Sequence, residues 1–187
     1  DVIQPEKIEF KQNSYEDGEN SIISFPEFLL LVLDVCTGGE QPASHYQPDK
    51  LIEKFDALKT HFTAGEFYEK MLYYRLLLDY YTIRRDIKDG QGNYSLILKG
   101  PKDDNDKLKQ YQSMLYVSTE AFYNWLKPYL RKLEQDELQS CAEMLAFLKK
   151  EDNERHGVLP SRKDLSYKAS GNIRYWFWRL DYYLWEQ

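Results

Sequence analysis

One tetrapeptide occurs twice and carries the residues most suited to chemistry: Leu78-Asp79-Tyr80-Tyr81 and Leu180-Asp181-Tyr182-Tyr183. Each aspartate lies in a strongly apolar stretch with an arginine at helical spacing, Arg75 four residues before Asp79 and Arg174 seven before Asp181. Brought together, the two carboxylates would form a paired acid–base site. A carboxylate in such company must otherwise find donors, because burying it unpaired is costly or neutralises it. The plainer and stronger account is therefore structural: Asp79 and Asp181 are buried polar residues, each bonded to arginine or to tyrosine hydroxyls. Asp34, at the end of an apolar run, falls under the same argument. No nucleophile or cofactor cradle accompanies the aspartates. His45, His61 and His156 are scattered, without cysteine or carboxylate at ligand spacing, so no metal site is read. No elbow motif activates a serine or cysteine. Asp89-Gly90-Gln91-Gly92-Asn93 is flanked by the wrong elements for a phosphate loop and reads as a turn. No catalytic residue is assigned.

Basic residues cluster at Arg84, Arg85 and Lys88, and from Arg162 and Lys163 through Lys168 to Arg174, with tyrosines nearby. Arg84, Arg85, Lys88 and Arg174 are the candidates for lining a nucleic-acid groove. A net charge of −6 argues against general attraction to nucleic acid or anionic membrane, so such a groove would be a local patch. A solvated helix end or loop is the plainer account.

The most aromatic stretch is the last, Gly171 to Gln187, which holds three of the four tryptophans. At 3.6 residues per turn, Ile173, Phe177, Leu180 and Leu184 share a face, with Trp176 and Tyr183 beside them. Trp178 and Trp185 lie a short way round, next to Arg174 and Asp181. Only Tyr175, Arg179, Tyr182 and Glu186 look suited to water. Such a helix is either central to a bundle or lacks a partner. Trp176, Trp178, Tyr182 and Trp185 are the candidate seam with another domain, Trp176 being the one best read as core. The chain starts without methionine and stops on this helix without a C-cap signal, so we expect a piece cut from a longer protein.

The elements that position these residues read as a mainly α, multi-helix bundle with one small β-hairpin near residues 82–98. Residues 1–22 form a polar arm or linker, and 23–187 a single helical domain. Ser24-Phe25-Pro26-Glu27 and Thr63-Ala64-Gly65-Glu66 are capping boxes that open helices, the first ending at Thr37-Gly38-Gly39. Ile83, Arg85 and Ile87 alternate, turn residues come next, and Tyr94, Leu96 and Leu98 alternate again. Further helices start near Asp103–Asp106, at Ser118, where Pro128 should kink or restart the helix, and at Asp136. Cys36 and Cys141 read as reduced core thiols, and the longest apolar run is too short to span a bilayer, so a cytoplasmic protein is expected.

The closing run Arg174–Glu186 resembles the segment just before the nuclease motif of GmrSD-type restriction endonucleases. Gln112–Ser118 with Asn124-Trp125-Leu126, and Leu77–Asp86, are similar to that family's middle region. The likeness covers most of the chain from about residue 21, and the aromatic run is its most specific part. The resemblance implies a tripartite parent that cuts foreign, often modified, DNA. A ParB-like domain that binds and hydrolyses nucleotide comes first, then a helical region, then an HNH-type nuclease. This chain departs from the pattern at both ends. The Asp-Gly-Gln-Gln-Arg motif is missing, because Asp89-Gly90-Gln91 stands in the wrong place and lacks the arginine. The Glu-His…Pro-Gln nuclease motif is missing too. The resemblance thus implies a catalytically silent middle domain with no cofactor of its own. Nucleotide and a divalent metal would belong to the parent, the flanking domains would be its partners, and DNA a further contact. An interaction or oligomerisation module without a nucleic-acid role is the alternative.

Overall fold

The computed structural model describes residues 18–87, 93–102, 105–161, 164–165 and 173–187. The expected fold class holds: these residues form seven α-helices and one small three-stranded antiparallel sheet.

Helix α1 (Phe25–Cys36) is the most apolar element, with Phe28, Leu30, Leu31, Val32 and Leu33 all buried. Ser24 and Glu27 close its capping box, and Gly39, at positive φ, donates back to the Asp34 carbonyl at its end. Helix α2 (Leu51–Leu58) is short and packs on α1. Helix α3 (Ala64–Tyr81) opens on the Thr63–Glu66 box and buries Tyr74, Leu77 and Leu78 against α1.

At Tyr81 the helix gives way to the hairpin. Strands β2 (Ile83–Ile87) and β3 (Tyr94–Leu98) pair from Ile83 with Leu98 to Ile87 with Tyr94. A third strand, β1 (Gly18–Ser21), adds to the other edge of β2, so the last residues of the segment read as an arm belong to the sheet. Their polar composition conceals this, because an edge strand can be held by backbone bonds alone. Gln112 pins the helix-to-strand junction: its Oε1 accepts from the Ile83 N–H at 2.9 Å and its Nε2 donates to the Tyr81 carbonyl at 3.0 Å.

Helix α4 (Asp106–Val117) covers the hairpin and buries Leu108, Tyr111, Met114 and Leu115. Ser118 closes α4 rather than opening the next helix; α5 (Phe122–Glu134) comes next and passes through Pro128 without interruption. Buried Trp125, Leu126, Tyr129, Leu130 and Leu133 hold it on both sides of the proline. Helix α6 (Cys141–His156) starts later than expected. Asp136 lies at positive φ in the preceding turn, and a third capping box, Ser140 with Glu143, opens the helix. Helix α7 (Ile173–Glu186) comes last. Cys36 and Cys141 form no disulfide. Among the described residues no helix is long and apolar enough to cross a membrane.

Helix α3 packs on α1 and α5, α5 on α6, α6 on α4, and α4 on α7. This order puts the last helix at the margin of the bundle and not at its centre.

Candidate docking faces on the last and third helices

Helix α7 carries one polar strip, Tyr175, Arg179, Tyr182 and Glu186, and sequence reasoning turns it to water. The structure turns it inwards. Tyr175, Arg179 and Tyr182 are buried, whereas Phe177, Trp178, Leu180, Leu184 and Trp185 are between 39% and 61% exposed. The cause is Asp152 on α6, itself 1% exposed. Its Oδ2 accepts from the Tyr111 hydroxyl at 2.6 Å and from the Tyr175 hydroxyl at 2.7 Å. Arg179 Nη1 lies 3.8 Å from the same oxygen and donates to Tyr175 Oη at 2.9 Å and to the Gly157 carbonyl at 2.8 Å. Its Nη2 donates to Asn153 Oδ1. At the far end Lys149 of α6 bonds both Glu186 oxygens at 2.7 Å. A buried carboxylate needs donors and a counter-charge, and from α7 Tyr175 and Arg179 of the polar strip supply them. Burial and the nearby Asp152 charge push the Tyr111 and Tyr175 hydroxyls far above their ordinary pKa, so both stay protonated and donate.

This inversion corrects several expectations. Tyr182, expected at the seam, belongs to the core, edge-on to Tyr111 at 4.9 Å, and so does Trp176, the seam candidate best read as core. Trp178 and Trp185 remain on the surface, joined there by Phe177, Leu180 and Leu184. Asp181, expected as a buried structural residue, is exposed, because the repeated tetrapeptide faces opposite ways on its two helices. Its counterpart Asp79 is partly buried; its Oδ2 accepts from Arg75 Nε at 2.8 Å, and Arg84 Nε stands 3.9 Å from Oδ1. The two carboxylates lie on helices that α5, α6 and α4 separate in the packing order, and they form no dyad.

Of the candidate DNA residues, Arg84, Arg85 and Arg174 do not share one face. Arg84 has its side chain only 11% exposed and turned to Asp79. Arg85, the next residue of β2, is partly buried and donates to the Ser21 carbonyl at 3.1 Å. Arg174 is exposed on α7, and Lys88 lies outside the described residues. Among the described residues no group of three or more metal-ligating side chains converges.

Beside α7's outer face a groove of about 510 Å³ runs between Val158, Leu159, Phe177 and Leu180. A second open apolar face lies on α3. Tyr68, Leu72, Leu76 and Tyr80, four residues apart, are 42% to 68% exposed, with Tyr73 beside them. The opposite side of α3 holds the helix down, where the Tyr74 hydroxyl and Lys70 bond Glu134 of α5. Singly exposed apolar residues are ordinary; contiguous stripes of this kind mark interaction sites. Replacing Leu180 or Leu184 by glutamate should therefore move the melting temperature by no more than about 2 °C, as at ordinary surface positions. Thermal unfolding followed by circular dichroism checks this; a collapse of the fold would mean these leucines are core after all.

The fold and these faces thus define a small helical module with two open aromatic–aliphatic stripes. Scanned against protein-family models and searched against curated proteins and solved structures, the chain matches none. Function is accordingly read from the faces themselves.

Proposed function

We propose that this chain is a non-catalytic helical connector that holds two protein bodies, one on the outer face of α7 and one on the outer face of α3. The observation that carries the reading is the placement of the two open faces on helices that α5, α6 and α4 separate in the packing order, with a buried core between them. Two bodies seated there would not compete for one surface. Under the GmrSD-type resemblance they are the nucleotide-binding and nuclease domains of a restriction-type endonuclease, and the connector couples their states. Contact with DNA would fall to exposed Arg174 more than to Arg84, which is turned to Asp79. That engagement of Arg84 also favours the second reading, an interaction or oligomerisation module with no nucleic-acid role.

The test is site-specific photo-crosslinking in cells, in the natural full-length protein, with a benzoylphenylalanine at Leu184, at Leu76, or at exposed Glu154 as control. The expected result is efficient adducts from Leu184 and from Leu76 to different protein segments. Adducts from both positions to the same face of another copy would move the reading to oligomerisation. Labelling no stronger than at Glu154 would sink both readings.

A further inference from the structure

Between α4 and α7 lies a smaller groove, of about 280 Å³, separate from the apolar one. Its walls include Trp178 and Trp185, half-exposed and two helical turns apart, and Asp181 stands between them on the same helix. Met114 and Tyr182 contribute buried apolar surface, and Gln110 of α4 lies on the opposite rim. Asp181 is exposed, and among the described residues no hydrogen bond or ion pair engages it. The other acidic residue near this end of the helix, Glu186, is already held by Lys149.

We infer that this groove takes an arginine side chain presented by the protein docked on α7, its guanidinium meeting the indoles of Trp178 and Trp185 and pairing with the Asp181 carboxylate. Charge and shape both argue for that occupant. An unpaired carboxylate flanked by two tryptophans would repel an acidic residue and gain nothing from an aliphatic one. Tryptophan is the ring that attracts a cation best, and arginine is the cation most often found on it. Arginine also offers a planar fork that can bond a carboxylate while its face lies on an aromatic ring, which the compact, strongly hydrated ammonium of lysine does not. The groove is at the lower limit of small-molecule sites, so it suits one side chain better than a larger ligand. Tryptophan, tyrosine and arginine are also the residues in which interface energy concentrates. The inference rests on the docking reading of α7 and names what the partner presents there.

The test uses the purified chain and the capped tripeptide acetyl-Gly-Arg-Gly-amide at constant ionic strength. The indole N–H signals of all four tryptophans are followed by NMR. The expected result is a saturable shift of the Trp178 and Trp185 signals, with those of buried Trp125 and Trp176 unmoved. The same tripeptide with citrulline, which keeps the shape and lacks the charge, should produce no saturable shift. The lysine tripeptide should bind several-fold more weakly. Asp181→Asn, a surface change, should lower affinity for the arginine peptide about fivefold, the upper range for one exposed ion pair. Citrulline binding as well as arginine, or wild-type affinity in Asp181→Asn, would overturn the cation site. Lysine binding as tightly as arginine would overturn the choice of arginine. Absence of any saturable shift, with crosslinking from Leu184 intact, would remove this pocket and leave the docking reading standing. Loss of that crosslinking with the peptide shifts intact would do the opposite.

Discussion

Replacing Arg179 by alanine should cost about 3–5 kcal/mol of stability, the range for breaking a buried ion pair. Its side chain is 2% exposed, and it is the only cation among the described residues that is paired with Asp152. Alanine would leave that carboxylate buried with two tyrosine hydroxyls and no counter-charge, and would free the Gly157 carbonyl and Asn153 Oδ1. It would also remove the guanidinium that lies 5.0 Å from the Trp176 ring centre. For a chain of this size the melting temperature should fall by roughly 6–20 °C. A double-mutant cycle with Asp152→Asn separates the ion pair from lost packing. Asparagine can still accept from Tyr111 and Tyr175, and in the double variant no buried charge is left uncompensated. If the pair is what matters, the double variant will lose less than the two single losses added, by on the order of 0.5–3 kcal/mol. Strict additivity in urea unfolding would show that Arg179 acts through packing alone.

The second large effect is expected at Asp34, which is fully buried at the end of α1. One oxygen accepts from the Gln41 N–H at 2.9 Å; the other accepts from the Tyr46 hydroxyl and from Lys127 Nζ at 3.0 Å. Lys127 also reaches the Gly39 carbonyl at 3.3 Å, so this carboxylate joins the end of α1, the loop after it and α5. Burial and the bond to Asp34 drive the Tyr46 hydroxyl well above its ordinary pKa and keep it a donor. Asp34→Ala strands that hydroxyl but leaves Lys127, 17% exposed, able to turn towards water. The loss should therefore be smaller than at Arg179, about 2–4 kcal/mol. Asp34→Asn preserves two of the three acceptor roles and should recover about half of it. Thermal melts of the two variants side by side decide the matter. Equal losses would mean that the charge on Asp34, and not its hydrogen bonding, dominates.

Much of the architecture is readable because it is written locally. Two of the three capping boxes stand in the sequence as Ser24 to Glu27 and Thr63 to Glu66, and the Ile83, Arg85, Ile87 alternation marks the change from helix to strand. The third box is masked by Asp136, an acidic residue that looks like a helix start and that the chain uses in a left-handed turn instead. The orientation of α7 is not readable. Amphipathicity weighs each residue by its own polarity, whereas the demand that turns Tyr175 and Arg179 inwards comes from Asp152. That aspartate lies in Glu151-Asp152-Asn153-Glu154, which reads as a solvated helix end. Nothing within α7 signals that a carboxylate 23 residues earlier will need its donors. Of the candidate site, Trp178 and Trp185 are legible as surface aromatics, while Phe177, Leu180 and Leu184 look like core for the same reason.

The way α7 is held has a consequence for how its outer face meets a partner. A helix kept in place by aliphatic contacts can roll by a fraction of a turn, because such contacts are indifferent to angle. Hydrogen bonds to Asp152, Asn153, Gly157 and Lys149 are directional and spread along most of the helix. They set its azimuth as teeth set a gear. Phe177, Leu180 and Leu184 are therefore presented at a single rotational setting before anything binds, and a partner meets a rigid, preoriented surface with little ordering entropy left to lose.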